Sequence, residues 1–299
     1  MAEDDPFERD HAPPIGVPER LARGLRVVTA PNPGPMTFTG TRSYVVGEGE
    51  VAVIDPGPAE PGHLAALAGA VAGERVAAVL VTHAHRDHSE GARAFAARTG
   101  APVLARGQVA PAPAPAFATG GGEGRDAGFR PDEAIGEGSV VAGPGWTLTA
   151  LATPGHTADH LAFAWAEGAA LFSGDHVMGW ATTLISPPDG ALGAFRESLR
   201  RLQGRPETVY YPGHGAPVAD PQRIVAHILA PRARREATIV AALAHGPATV
   251  ADLVAGLYAD VDRRLHAAAA RNVLAHLVDL EARGQVVVEG ERFALAAPS

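Results

Sequence analysis

Four short stretches of this 299-residue chain place histidine and aspartate at spacings that suit a metal site. The densest is Thr82-His83-Ala84-His85-Arg86-Asp87-His88-Ser89-Glu90-Gly91. In extended backbone, residues two apart point the same way, so His83 and His85 can grip one ion. Asp87 and His88 stand where a helix over 92–97 is expected to begin, and can face a second ion nearby. Imidazole and carboxylate suit zinc or a similar borderline cation. The other three stretches are Thr153-Pro154-Gly155-His156-Thr157, Ser173-Gly174-Asp175-His176 and Tyr211-Pro212-Gly213-His214-Gly215. Each sets a histidine or aspartate in a glycine-containing turn at the end of a predicted strand. Glycine there lets backbone come close while the ligand points into a cleft. The candidate metal ligands are therefore His83, His85, Asp87, His88, His156, Asp175 and His214. His160 is read either as a substrate contact or as a residue orienting a ligand histidine from behind. His176 reads as a structural neighbour of Asp175, and His11, His63, His227, His245, His266 and His276 as surface or packing residues.

Two adjacent cations lower the pKa of a bridging water towards neutrality and supply hydroxide as nucleophile. They also stabilise charge developing on the attacked oxygen. Asp87 can ligate a metal and hold or accept the proton of that hydroxide. The sequence offers no evident general acid, which fits a good leaving group such as a thiolate. Metal-assisted hydrolysis is the expected chemistry.

The elements that must position these residues follow from the apolar pattern. Leu25–Thr29, Ser43–Val46 and Val51–Ile54 read as strands, the last two joined by a hairpin at Gly47-Glu48-Gly49-Glu50. Leu64, Leu67 and Val71 fall at helical spacing. Val76–Thr82 is a continuous apolar run ending in the histidine cluster, as a buried strand delivering residues to a site would be. Residues 105–128 are Ala/Pro/Gly-rich and read as a long surface loop. Strands resume at Val140–Val141, Thr147–Ala152, Leu161–Ala164 and Ala169–Phe172, followed by an amphipathic helix through Phe195, Leu199 and Leu202 and a strand at Thr208–Tyr211. Two such halves suggest a sheet-on-sheet core with helices outside.

After about residue 231 the pattern changes. A helix over Glu236–Ala244, a helix capped by Thr249 with Asp252 three residues on, and a third through Val273, Leu277 and Leu280 precede a hairpin around Gly290. Three helices and a hairpin make a winged-helix arrangement. The expected division is an N-terminal arm over 1–23, read as loose, a catalytic domain over 24–231 and a winged-helix domain over 232–299.

Composition bounds the rest. Zero cysteines exclude disulfides, thiolate nucleophiles and Cys-ligated metals. No stretch is long and apolar enough for a membrane span, and the acidic N-terminus lacks an export-signal layout, so cytoplasmic is the default expectation. The net charge is −8 and every basic residue is arginine, a balance that disfavours broad binding of nucleic acid.

The pattern His83 to His88 resembles the hallmark H-x-H-x-D-H of the metallo-β-lactamase superfamily. The resemblance covers about residues 24–225. It implies an α+β class and an αβ/βα sandwich with two metals, both expected to be Zn2+ or another divalent transition metal. One metal would use His83, His85 and His156, and the other Asp87, His88 and His214. Asp175 would bridge them and join Asp87 as a catalytic residue. An aspartate at 175 is similar to the glyoxalase II and nuclease side of the superfamily, and antibiotic hydrolysis is a poor first expectation because several true β-lactamases carry cysteine there. The winged-helix tail, with Pro-Gly-His-Thr-Ala-Asp-His at 154–160, resembles the branch containing the mitochondrial β-lactamase-like endoribonuclease. Two departures stand out: Arg42 where relatives often have asparagine, and Pro231 before Arg232 where they often have histidine.

Three functions are therefore weighed. The first is a dinuclear hydrolase using a metal-bridging hydroxide on a small-molecule thioester, lactone or related acyl substrate. The second is an endoribonuclease on single-stranded RNA, resting on the branch and on Arg232, Arg234, Arg235, Arg263, Arg264 and Arg271. Residues 223–283 hold eight arginines against six acids, a thin excess. The third is a ligand-sensing DNA-binding regulator, disfavoured because the third helix carries Ala267–Ala270 and little base-reading chemistry. A homo-oligomer is left open.

Overall fold

The computed structural model describes residues 5–110, 124–260, 262–263 and 266–297. Two sheets face each other. The first runs in chain order through β1 (Glu19–Ala22), β2 (Leu25–Thr29), β3 (Arg42–Glu48), β4 (Glu50–Ile54), β5 (Arg75–Leu80), β6 (Val103–Ala105) and β7 (Glu133–Ala134). The second holds β8 (Val140–Gly143), β9 (Trp146–Ala152), β10 (Leu161–Trp165), β11 (Ala170–Gly174) and β12 (Val209–Pro212), in the order β12-β11-β10-β9-β8.

Strand alternation sends one set of side chains into the space between the sheets and the other outward. Leu25, Val27, Tyr44, Val46, Ile54 and Leu80 meet Trp146, Leu148, Leu161, Phe163 and Phe172 between them. On the outer face of the first sheet, Val45, Val53 and Val79 pack against α1 (Pro61–Ala70) and α3 (Ala92–Thr99) through Leu64, Leu67 and Phe95. On the other outer face, Leu151, Ala162, Leu171 and Tyr210 cover α4 (Leu192–Leu202) and the first half of α5 (Pro221–Leu243) through Phe195, Leu199, Ile224 and Ile228. The result is an α+β protein with helix, sheet, sheet and helix in successive layers.

The pairings β4 with β5 and β11 with β12 are parallel. Their C-terminal ends converge, and every candidate ligand stretch except Thr153–Thr157, in the β9–β10 turn, leaves from or just beyond such an end.

The C-terminal unit has α6 (Val250–Leu257), α7 (His266–Ala282) and the hairpin β13 (Val286–Glu289) with β14 (Arg292–Leu295). Thr249 and Asp252 form the capping box that their spacing predicts. Leu253, Val273, Leu277, Leu280, Val286 and Phe293 make its core.

Two expectations need adjustment. The helix expected over 236–244 is the second half of α5, which starts at Asp220-capped Pro221 and runs unbroken through Pro231. Pro231 removes the N–H that would bond the His227 carbonyl. Ile224, Val225 and Ile228 anchor the helix to the sandwich, while Ile239 and Leu243 anchor it to the C-terminal core, and the two together outweigh that single loss. The arm expected to be loose supplies β1, paired antiparallel with β2, and its Phe7 ring meets His227 edge-on at 5.2 Å. Residues 1–4 of the arm and 111–123 of the long loop lie outside the described residues.

His276 lies in α7 where it meets the sandwich, 1% exposed, with neither ring nitrogen hydrogen-bonded among the described residues. Burial first, then the nearby Arg232, pushes its pKa down to about 4, against an opposing pull from Glu236. Below pH 6.5 the unfolded chain takes a proton that the folded chain refuses until about pH 4. Stability is therefore expected to fall with pH through that window, by on the order of 3 kcal/mol for this group. Urea midpoints measured from pH 7 to 4 should decline less steeply in His276→Leu than in the wild type; parallel curves would show that His276 is not a source of the acid sensitivity.

Candidate metal centre

The run that ends β5 continues through Thr82 into His83 and His85, and α2 (Arg86–Ser89) then lifts Asp87 and His88 to the same place. His156 comes from the β9–β10 turn, Asp175 from the end of β11, and His214 from the turn after β12. The structure brings all seven side chains together in two groups, His83–His85–His156–Asp175 and Asp87–His88–His214, with the candidate ligand atoms of each group within 4.8 Å of one another.

In the first group, His83 Nε2 and His156 Nε2 lie 2.9 and 3.1 Å from His85 Nδ1. In the second, Asp87 Oδ2 is 3.3 Å from His88 Nε2 and 3.2 Å from His214 Nε2. Asp175 faces both. Its Oδ2 is 3.6 Å from His156 Nε2 and 4.0 Å from His83 Nε2. Its Oδ1 is 3.5 Å from His88 Nε2 and 3.4 Å from His214 Nε2.

The outer ring nitrogens decide what the inner ones offer. His88 Nδ1 meets Asp55 Oδ2 at 2.8 Å, His156 Nδ1 meets the Leu184 carbonyl at 3.0 Å, and His214 Nδ1 meets the Gly40 carbonyl at 3.3 Å. Carboxylates and carbonyls accept only, so each Nδ1–H donates outward. Each Nε2 is then left to present a lone pair to a cation. His83 Nδ1 lies 3.0 Å from Thr82 Oγ1, whose own hydrogen goes to Asp55 Oδ2, so the same rule holds there. The residues fit a metal on a further ground. His88 Nε2 and Asp175 Oδ1 are buried without a hydrogen-bond partner among the described residues, and a cation between them would satisfy both.

The electrostatics separate the two groups. Burial first, then repulsion from His88 and His85, holds His83 well below the usual imidazole range, and burial with His156 pushes His85 down to about 3. Burial would lower His88 and His214 too, but Asp87, Asp175 and Asp55 lift His88 well above its ordinary value, and Asp175 with Asp87 lifts His214 to about 9. Burial opposes ionisation of Asp87 and Asp175, yet the facing His88 and His214 hold both well below the usual carboxylate range. Carboxylates that draw protons this strongly onto two histidines would draw a divalent cation in the same way.

Several supporting residues escape a reading by residue type. Asp55, at a positive φ of 50° just after β4, accepts from Thr82 N at 2.7 Å and from the Thr82 hydroxyl at 2.8 Å as well as from His88. Thr41 Oγ1 lies 3.4 Å from Asp87 Oδ2. The only signal for Asp55 is a carboxylate in a turn at the end of a buried strand, beside Pro56 and Gly57. Gly213 is required for space, because a Cβ there would stand 2.5 Å from Asp175 Oδ1 and 2.6 Å from His88 Cε1.

His160 is fully buried. Its Nδ1 meets Thr153 Oγ1 at 2.8 Å and its Nε2 accepts the Asp175 backbone N–H at 3.2 Å, so it supports Asp175 from behind. His176 is buried against Phe195, with ring centroids 4.5 Å apart. Arg42 is also buried, its Nη1 donating to Thr29 Oγ1 at 2.9 Å while its backbone N–H donates to the Gly213 carbonyl.

Comparison with known proteins places this geometry. Residues 36–214 match the metallo-β-lactamase superfamily, and residues 249–294 match the β-lactamase associated winged helix domain. The chain belongs to the metallo-β-lactamase superfamily. It is 31% identical to a β-lactamase-like protein 2 homolog of Caenorhabditis elegans, over 95% of this chain and 91% of that one. It is also 31% identical to an atrochrysone carboxyl ACP thioesterase of Aspergillus fumigatus, over 81% of this chain and 77% of the relative. Among solved structures, a β-lactamase domain protein from Burkholderia ambifaria shares the fold with a TM-score of 0.78 at 22% identity, covering 96% of each chain. This superfamily is one of metal-dependent hydrolases, and the His/Asp cluster is where this member could hold metal. No helix among the described residues is long and apolar enough to cross a membrane.

The arginines considered for RNA do not share one surface role. Arg232 is buried against the sandwich, Arg235 lies over the Tyr258 ring at 4.3 Å, and Arg264 lies outside the described residues. Arg263 precedes α7 instead of lying on it, while Arg271 is within it.

Proposed function

We propose that this protein is a dinuclear, zinc-dependent hydrolase of acyl thioesters. The observation that carries the reading is the orientation of Asp175, one oxygen towards each group of histidines, as a carboxylate shared by two cations would be. The first cation would be held by His83, His85 and His156, the second by Asp87, His88 and His214. Two zinc ions, when bound, supply the Lewis acidity that ionises water near neutral pH and offsets charge on the attacked carbonyl oxygen.

The chain's own groups do the rest. Outward hydrogen bonds from Nδ1 orient the rings of His83, His88, His156 and His214. Asp87 is the more exposed of the two carboxylates, with 27% of its side chain accessible against 9% for Asp175. Asp87 Oδ2 faces His88 and His214, and the other carboxylate oxygen is the atom that takes a proton from the incoming water. A thiolate departs without being protonated, so thioester cleavage asks for no further acid. The similarity to thioesterases acting on carrier-protein acyl groups supports the same substrate class.

The test is turnover of the zinc-loaded protein on matched panels of acyl thioesters, lactones and single-stranded RNA, with Asp175→Ala as control. Thioester cleavage that disappears in the variant is the expected result. Cleavage of lactones alone would move the substrate class, RNA cleavage lost in the variant would replace the proposal with a nuclease, and no metal-dependent turnover on any acyl substrate would overturn it.

A further inference from the structure

The segment between β11 and α4 passes behind the candidate metal centre, and α5, which shares a packed cluster with its Val177 and Ile185, also hydrogen-bonds to it through Arg232. Arg232 Nη2 donates to the Thr183 carbonyl at 2.7 Å. On the opposite side of that residue, the Thr183 hydroxyl donates to the Asp175 carbonyl at 2.6 Å, with the His176 carbonyl at 3.2 Å. The next carbonyl, that of Leu184, accepts the Nδ1–H of His156. One short stretch of backbone therefore joins the helix to two candidate ligands that come from different places in the sheet.

Arg232 is an unusual residue to find there. It is 6% exposed, its Nε–H has no hydrogen-bond partner, and no carboxylate pairs with it among the described residues. Its guanidinium lies over the Phe195 ring at 4.7 Å. Burial, with Arg196 close by, pulls its pKa down to about 10. A buried cation without a counter-charge destabilises a fold, and an apolar side chain of the same length would fill the space more favourably. The junction does not need Arg232 as an ionic tie. Arg196, Glu236, Asp279 and Arg283 already join α4, α5 and α7, with Arg196 at 2.6 Å and Arg283 at 2.7 Å from Glu236, and Arg283 at 3.0 Å from Asp279. Besides its contact with the Phe195 ring, what Arg232 supplies that a hydrocarbon cannot is the hydrogen bond to Thr183, and that bond leads to the candidate ligands.

We propose that Arg232 is a positioning residue for the metal centre. Through the 183–184 backbone it fixes the backbone of Asp175 and the Nδ1–H tautomer of His156, so that α5, the helix shared with the C-terminal unit, sets the geometry of the site. The role in metal binding rests on the dinuclear reading above; the role in holding His156 does not.

The experiment uses the full chain as wild type, Arg232→Met, Arg232→Lys and Thr183→Val. In the metal-free proteins, nitrogen-15 NMR of the imidazoles should show His156 as the Nδ1–H tautomer in the wild type and as a mixture in Arg232→Met. Competition for zinc with a chromophoric chelator should show affinity lowered about 10–100-fold in Arg232→Met and Thr183→Val, the range for residues behind a ligand, with partial recovery in Arg232→Lys. Thermal unfolding of metal-free Arg232→Met should occur at or above the wild-type temperature. An unchanged His156 tautomer together with unchanged zinc affinity in Arg232→Met would overturn the proposal and leave Arg232 a packing residue. Should that variant not fold, Thr183→Val with wild-type zinc affinity would overturn it equally. Wild-type protein that takes up no zinc would defeat the dinuclear reading instead, and the tautomer of His156 would then decide the positioning role by itself.

Discussion

Asp175→Ala is expected to lower turnover by about a thousandfold and to leave the purified protein with fewer than two metal ions. The loss follows from what the carboxylate faces. His83 and His156 have no other carboxylate within 4.0 Å among the described residues, whereas His88 and His214 keep Asp87. Removing Asp175 therefore strips the first group of its nearby anion and leaves three neutral imidazoles to hold a dication. It also removes the atoms that would keep two cations at a fixed separation. Metal-dependent charge stabilisation is worth several kcal/mol in a transition state, and about 1.4 kcal/mol is a tenfold change in rate, which sets the thousandfold scale. Asp175→Asn is the sharper variant because it keeps the volume. Its amide presents an oxygen to one group and hydrogens to the other, so only one group can keep its ion. Metal content by elemental analysis and turnover on the cleaved substrate decide the matter. Two ions retained with turnover within tenfold of wild type would show that Asp175 does not bridge.

The difference between what sequence makes legible and what it hides is visible around this same residue. The seven clustered side chains can be found in the chain because each is a histidine or aspartate in a short motif, and a motif survives as a local pattern. What orients them is non-local. Asp55 meets Thr82 and His88 across 27 and 33 residues, and the partners of His156 and His214 are the carbonyls of Leu184 and Gly40, which carry no residue signature at all. His160 illustrates the middle ground, since its type marked it as functional but only its full burial behind Asp175 separates support from substrate contact.

The fold divides in the same way. Short continuous apolar runs gave away β2 to β5, whose two faces both pack. The edge strand β1 is hidden because Glu19–Ala22 is short and half charged; its burial alternates only between partial and exposed, with Leu21 packing against the core, and its pairing with β2 is made by backbone. At Pro231 local rule and tertiary packing oppose each other. Proline suggests a helix end, and the two cores gripping α5 on either side override it.

Asp55→Asn should disable the second group while leaving the fold nearly intact. Asparagine has the same shape and tolerates the positive φ at this position. Its single carbonyl oxygen can still accept from Thr82 N, but its NH2 group then faces the Thr82 hydroxyl and His88 Nδ1, both of which donate to Asp55 Oδ2 in the wild type. The least costly relief is for His88 to exchange tautomers, accepting at Nδ1 and carrying its hydrogen on Nε2. That hydrogen would point at Asp87 and Asp175 and would occupy the lone pair on which metal binding depends. The expected result is a loss of about 10–100-fold in affinity at the position built from Asp87, His88 and His214, with the position built from His83, His85 and His156 less affected. Asp55→Ala differs in kind, since it leaves Thr82 N and His88 Nδ1 buried without an acceptor and should destabilise the fold by about 1–3 kcal/mol for each orphaned group. A chelator titration resolving the two positions, read beside urea unfolding, separates the variants. Asparagine at 55 that binds both ions with wild-type affinity would mean that the Asp55 carboxylate does not set the tautomer of His88.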